Sequence, residues 1–356
     1  MLINLSVLLP QPTGISNYAL NLLPYLDSLT PTLLCSRSIS SFHCHQIPDN
    51  LTPAQGKSGH LRRLLWTQFT LPQLYRQFDS NLLFSPLPEA PLFSQCRYIV
   101  MVHDLIPLRF PNPKSFLTPY CRYIMPQVLK QSEHILCNSQ ATARDIIDFF
   151  DIKPGKVTPI PLACDNNHFR PLRLENSYHP PYFLYLGRHD PHKNVSRLIT
   201  AFSQADLTLD YQLWLVGSSD QRYTPLLNKL VKELGLQQRV RFLDYVSFEE
   251  LPSLYNRAIA FIFPSLWEGF GLPVLEAMAC GTPTITANVG SLQEIAGEAA
   301  LLVNPEDLAE ISSAMKRIAT NAQLRQQLQQ LGLQRACEFS WEKTGHQTKE
   351  ILAKFQ

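Results

Sequence analysis

The chain has 356 residues, 45% of them apolar and 17% charged, with a formal net charge of +2. Such a composition suits a globular protein with buried cores, the length suits two domains, and the small net charge argues against a strong nucleic-acid field. No apolar run is long enough to span a bilayer, and the opening MLINLSVLLPQPTG lacks the basic start and cleavage site of a signal peptide, so it reads as a first strand.

In the first half, the short apolar runs Leu2–Leu9, Tyr98–Val102, His134–Cys137 and Val157–Ile160 read as strands. Helices are expected over Ile15–Leu29 and Gln140–Phe150, with Ser139 as N-cap of the second. The triplet His43-Cys44-His45 reads as plain loop, a metal clip being the alternative. Residues 60–78, HLRRLLWTQFTLPQLYRQF, read as a domain helix packed on its sheet with its arginines in water; contact with an anionic membrane is the alternative. The eight cysteines form no C-x-x-C pair and are expected as buried thiols in a reducing cytosol. RPLRLENSYHPP, residues 170–181, has no period and reads as a linker. Beyond it, strands are expected at Tyr182–Gly187, Tyr211–Gly217, Val240–Leu243, Ile259–Phe263 and Thr284–Thr286, with helices between them. The alternation implies two doubly wound α/β domains, 1–172 and 173–340. The last stretch, 341–356, reads as a helix over Trp341–Phe355 that packs back on the first domain.

Ligands of open parallel sheets sit beyond the carboxyl ends of the strands. The loops expected there are Pro10–Gly14, His103-Asp104, GRHDPHKN at 187–194, Gly217–Ser219 and PSLWEGFG at 264–271. Two such edges facing each other would form a cleft. In EGFGLPVLE, residues 268–276, Pro273 is expected to open a helix that runs to about Ala279 and stops at Gly281. Its unpaired N–H groups, reached through a loop with Gly269 and Gly271, make an anion site bracketed by Glu268 and Glu276. A carboxylate beside an anion site repels the anion unless it reaches past it to hydroxyls. A nucleoside diphosphate sugar offers both, and Arg188 and Lys193 would neutralise its phosphates. The plain readings are cap or surface charges for the glutamates, a core histidine for His103, a turn for Gly14 and a simple cap for Ser139. A dinucleotide fingerprint fails at Val274, where its third glycine should stand, and a P-loop fails at Leu51.

Four stretches together resemble the retaining glycosyltransferases of family 4, also called group 1, with the GT-B fold: EGFGLPVLE as the E-x7-E signature, LGRHDPHKNVSRLITAF, MVHDLIPLRFP and NSQATARDI. The resemblance implies an acceptor-binding first domain and a nucleotide-sugar-binding second one. It implies transfer of a hexose with retention, without a metal or other cofactor, to a saccharide or lipid-linked acceptor in polysaccharide or glycoconjugate synthesis. The expected place is the cytoplasm, in the narrower reading the inner face of the membrane. By the same resemblance Glu268 contacts hydroxyls of the donor sugar, and Glu276 binds the ribose. Arg188 and Lys193 hold the diphosphate as it leaves, assisted by backbone around Gly269, Phe270, Gly271 and Leu272. His103 lies near the transferred sugar, Gly14 near the phosphates and Val246 near the base; Ser139 is placed with the donor-binding set. Thr13 departs from the family's double glycine, which puts the first loop's geometry in question. HDLIPLRFP looks like mannosyl- and rhamnosyltransferases of bacterial surface polysaccharide, which points to GDP-mannose. Front-face attack through an oxocarbenium-like state is the mechanism favoured. The competing readings are a catalytically idle GT-B subunit that binds a nucleotide sugar or a protein partner, and a sugar phosphorylase or nucleotide-sugar epimerase.

Overall fold

Short runs of leucine, valine, isoleucine and phenylalanine form two wholly parallel sheets, buried on both faces as such sequences require. The computed structural model describes residues 1–9, 14–112, 115–174 and 180–356; the expected loop with Thr13 and the middle of the expected linker, 175–179, lie outside them. The described chain divides into two units, Met1–Leu162 with Trp341–Gln356, and Ala163–Ser340.

The first unit holds β1 (Leu2–Asn4), β2 (Thr32–Cys35), β3 (His43–Gln46), β4 (Leu83–Ser85), β5 (Tyr98–Val102), β6 (His134–Cys137) and β7 (Val157–Pro159). Their order is β3-β2-β1-β4-β5-β6-β7. The second holds β8 (Tyr182–Leu186), β9 (Gln212–Val216), β10 (Val240–Leu243), β11 (Ala260–Phe263), β12 (Thr284–Ala287) and β13 (Leu301–Val303), ordered β10-β9-β8-β11-β12-β13. In each sheet the winding reverses once, at β1/β4 and at β8/β11, the two-half Rossmann pattern.

Several expectations are corrected. β1 stops at Asn4 rather than Leu9, because the Asn4 side chain accepts the Ser6 N–H at 3.2 Å and turns the chain out of the ladder. The triplet at 43–45 is strand, not loop, paired in parallel with β2. The two-residue period of a strand splits it: the His43 and His45 rings meet Phe78 edge-on, while the Cys44 thiol turns to the Ile39 carbonyl. Residues 60–78 form two helices, Gly56–Phe69 and Leu71–Gln77, broken next to Pro72. Arg63 is not in water: it is buried and makes a two-pronged ion pair with Glu89, both contacts at 2.7 Å.

The helix Trp341–Phe355 belongs to the first unit and packs on the helix Gly14–Leu26. Thr344 Oγ1 donates to the Pro161 carbonyl at 2.7 Å, and the hydroxyls of Thr348 and Tyr18 share a hydrogen bond. Close approach requires Gly345, since a Cβ there would stand 2.3 Å from Cγ of Tyr25. Residues after Leu162 hold to the second unit: Phe169 lies edge-on to Tyr255, and the Leu172 N–H donates to the Asn256 side chain at 2.8 Å. Gly345→Ala is expected to cost about 1–3 kcal/mol by overpacking, read as a lower denaturant midpoint with earlier proteolysis of the last helix. An unchanged midpoint would mean that Tyr25 moves aside freely.

Candidate functional site

The reversal in the second sheet sets the loops after β8 and β11 side by side. Gly187 and Gly217 close the ends of β8 and β9 at φ +157 and +152, and a Cβ on Gly217 would lie 2.1 Å from the Gly187 carbonyl. The chain then makes the short turn Pro191–Lys193 and enters Asn194 in the left-handed region at φ 63. The Asn194 amide donates to the carbonyls of Pro264 at 3.0 Å and Pro305 at 2.6 Å, which pins the Lys193 turn to the loop that follows β11. Across that join, Lys193 Nζ lies 2.7 and 2.9 Å from the two carboxylate oxygens of Glu268 and over the Phe263 ring. Both side chains are nearly buried. Sequence reasoning named both residues but assigned them different tasks; the fold joins them. Ser291 holds the far side of Glu268, its hydroxyl donating to the Glu268 carbonyl at 2.9 Å.

Gly271, at φ 122, ends the loop and precedes the helix Leu272–Ala279, with Pro273 at its second position. A Cβ on Gly271 would strike Leu292 at 2.7 Å, so the loop closes on the helix Gly290–Ala296 only with glycine there. The helix start follows closely on Glu268; Pro273 has no N–H to offer, and the N–H groups of Val274 and Leu275 turn back to the Gly271 carbonyl. Glu276 lies one turn further on and accepts from the Tyr255 hydroxyl at 3.0 Å. Burial pushes its carboxyl up to about 7, only partly opposed by that hydrogen bond. Tyr255 and Asn194 are the supporting residues that sequence reasoning left without roles. Asn194 stood inside the KN of the quoted stretch, whereas no local pattern marks Tyr255.

Arg188 keeps company with this set more loosely. The buried Tyr185 hydroxyl donates to its carbonyl at 2.8 Å and also feels the charge of Glu268. Its guanidinium, though, is 73% exposed and rests on Asp190 at 3.0 Å. Val246 is half-buried in the loop after β10, two strands from β8, next to Ser247, which caps the turn Phe248–Glu250 together with Glu250.

His103, Gly14 and Ser139 belong to the first unit. His103 follows β5 directly, its ring edge-on to Tyr18 and its Nε2 2.9 Å from the Pro86 carbonyl. A carbonyl only accepts, so Nε2 carries the proton and Nδ1 is the acceptor. Burial pushes the ring down to about 4, so it is neutral near pH 7. Its carbonyl takes the Asn138 amide at 2.8 Å. Ser139 is a true N-cap, its Oγ accepting the Thr142 N–H at 3.0 Å. Gly14 starts a helix, and a Cβ there would meet nothing within 4 Å, so packing does not demand glycine. At the reversal point of this sheet lies a cavity of about 450 Å³, bordered by Val7, Leu87, Glu89, His103, Asp104 and Tyr120.

Two doubly wound parallel units, the second with a lysine–glutamate pair and a glycine-led helix start where its winding reverses, define the class. Residues 173–352 match the family described as glycosyl transferases group 1, and residues 12–168 match glycosyltransferase family 4. The chain belongs to the group 1 glycosyltransferases, with the GT-B fold, and is an enzyme of that type. It is 29% identical over 331 residues to the O-antigen chain mannosyltransferase RfbU of Salmonella typhimurium, covering 89% of this chain and 90% of that protein. It is 31% identical over 263 residues to O-antigen chain mannosyltransferase B of Escherichia coli, covering 71% and 69%. Among solved structures, sucrose-phosphate synthase from Thermosynechococcus elongatus superposes with a TM-score of 0.79 at 21% identity, covering 99% and 98% of the two chains. Anabaena HepE in complex with UDP and glucose gives 0.77 at 18% identity, covering 99% of both. At such identities these structures speak to the fold alone.

Two predictions follow from the buried charges. Lys193→Ala leaves the Glu268 carboxylate nearly buried and alone, and is expected to destabilise the second unit by about 3–5 kcal/mol in denaturant titration; a loss below 1 kcal/mol would mean that water reaches the pair. Glu276 holds its proton more tightly folded than unfolded, so its contribution to stability is present below about pH 4.5 and is lost as pH rises through about 7. Glu276→Gln removes that loss. Its stability relative to wild type should therefore grow by about 1–3 kcal/mol from pH 5 to pH 8; a pH-independent difference would show that the carboxyl is not held up.

Proposed function

We propose that this enzyme moves mannose from GDP-mannose, with retention, to a saccharide or lipid-linked acceptor in the synthesis of a surface polysaccharide of the O-antigen kind. The observation that carries the reading is the nearly buried Lys193–Glu268 pair beside the Gly271 helix start. Charge is costly to bury, and a pair held this way near the positive end of a helix is ready to exchange partners. When the donor binds, Lys193 turns to the diphosphate, and Glu268 accepts from hydroxyls of the sugar. The helix end and Arg188 add to the positive field that stabilises the leaving diphosphate, so the departing group needs charge stabilisation more than a proton. In the first unit, neutral His103 borders the cavity and offers Nδ1 as an acceptor to a hydroxyl bound there. Glu276 takes the ribose hydroxyls, and those hydrogen bonds favour its charged form. The mannose assignment is supported by the names of two relatives, one of them matched over 90% of its length, and by the HDLIPLRFP stretch.

Donor hydrolysis without acceptor, run over a panel of nucleotide sugars, tests the reading. GDP release from GDP-mannose is expected, with Glu268→Ala slower by about 100-fold or more and the solvent-facing Arg188→Ala by about tenfold. Release from another donor would replace the mannose assignment. Neither turnover nor calorimetric binding across the panel would overturn the reading in favour of an idle subunit. Retention is checked by the anomeric configuration of the product, and a covalent sugar adduct on a carboxylate would exclude front-face attack. GDP affinity is expected to rise from pH 5.5 to pH 8 with proton release to the buffer, because ribose favours charged Glu276; Glu276→Gln should abolish that slope.

A further inference from the structure

The loops after β8 and β9 are pressed together, since Gly217 leaves no room for a Cβ beside the Gly187 carbonyl. A buried bridge fixes them further. The Thr224 hydroxyl oxygen accepts the Asp220 N–H at 2.8 Å and meets His189 Nδ1 at 2.7 Å, and both His189 and Thr224 are buried. His189 stands between Arg188 and Asp190 in the chain, so the bridge sets these two against the turn that carries Asp220 and Arg222. The Arg188 carbonyl is held as well, by the Tyr185 hydroxyl. On this fixed backbone four charged side chains alternate in sign. Arg188 Nε lies 3.0 Å from one oxygen of Asp190, and Arg222 Nη2 lies 3.9 Å from the other. Arg222 is anchored in turn by Asp220: its Nε and Nη2 lie 3.0 and 2.6 Å from the two carboxylate oxygens, and its backbone N–H donates there at 2.8 Å. Its guanidinium also lies over the Tyr223 ring. Asp190 is thus bonded to one guanidinium and has a second, preplaced one just beyond hydrogen-bond distance.

Every lysine and arginine in these two loops is answered by a carboxylate: Lys193 by Glu268, Arg188 by Asp190 and Arg222 by Asp220. The pairs sum to zero, so the positive field that a diphosphate needs arises only as pairs open. Arg188 can turn to a diphosphate only by leaving Asp190. The Asp190 side chain is 17% exposed against 73% for Arg188, so the carboxylate is the less hydrated partner and depends more on a cation beside it. Left alone, it would also repel the incoming anion. Arg222 is placed to prevent both. A shift of about 1 Å in Asp190 closes the 3.9 Å gap to a normal ion-pair contact.

We propose that Arg222 is a positioning residue for diphosphate binding: it takes over Asp190 and so releases Arg188 to the phosphates. It acts through Asp190 and touches no substrate. The inference rests on the transferase reading, in which Arg188 meets the diphosphate. The full chain is titrated calorimetrically with GDP and with UDP, which share that group. Arg222→Ala is expected to weaken binding roughly fivefold and Asp190→Asn to tighten it roughly fivefold, the upper range for a partly exposed ion pair. In the Asp190→Asn background, Arg222→Ala should change binding by less than about twofold, because no carboxylate is left to hand over. An arginine that only holds the loop together would weaken binding in both backgrounds. Arg222→Gln, which keeps the side-chain stem beside Tyr223, is the second variant, should the alanine variant lose its thermal midpoint. The proposal is overturned if Asp190→Asn weakens binding, since Asp190 would then support Arg188 rather than compete for it. It is equally overturned if Arg222→Ala costs the same in both backgrounds, or nothing in either. Wild type that binds neither GDP nor UDP would overturn the transferase reading and this proposal with it, whereas binding with any of those other outcomes overturns the proposal alone.

Discussion

Everything at the candidate sites depends on the reversal of winding in a parallel sheet. Two neighbouring strands there send their following chain to opposite faces and leave a gap at their carboxyl ends. In the second unit those strands are β8 and β11, and the gap receives the turn with Lys193 from one and the loop with Glu268 from the other. In the first unit the reversal at β1 and β4 opens the cavity near His103. The same topology, used twice, gives two differently equipped pockets: one charged and led by glycines, the other largely apolar with an ion pair at its side.

Buried charge is the second theme. Lys193–Glu268, Arg63–Glu89 and the raised carboxyl of Glu276 each cost desolvation that a purely structural core would avoid. Arg63 and Glu89 border the cavity of the first unit, and Lys193 and Glu268 lie in the chain that follows β8 and β11. Asn194, Tyr255, Ser291 and the three glycines 187, 217 and 271 hold the second set in place. Tyr18 does the same for His103, and it is tied in turn to the last helix through Thr348. A helix remote in sequence is thereby part of the first unit's support.

Much of this was legible in the residues. The apolar runs that became β5, β6, β8 and β11 stand out enough from their flanking residues to be read alone. The helix after Gly271 was announced by Pro273 and ended near Gly281, as its N–H and carbonyl requirements dictate. The strands β2, β4 and β13 were not legible, because each is set by pairing with its neighbours in the sheet rather than by a pattern of its own. β3 was missed for the same reason: His-Cys-His is a poor strand by composition and pairs only because β2 lies beside it.

The sequence by itself determined the alternation of strands and helices, the two-unit plan and the residue types at the loop ends, because these follow from local periodicity, capping and glycine geometry. It also singled out Glu268, Glu276, Arg188 and Lys193 as candidates for a site at the strand ends. Only the tertiary structure decided that Lys193 lies on Glu268, that Arg63 is buried against Glu89 rather than solvated, and that Leu61, Leu65 and Phe69 face outward. Those pairings join residues 75 and 26 positions apart, and no local pattern carries a distance of that kind. They follow from strand order, which depends on how whole elements pack against one another.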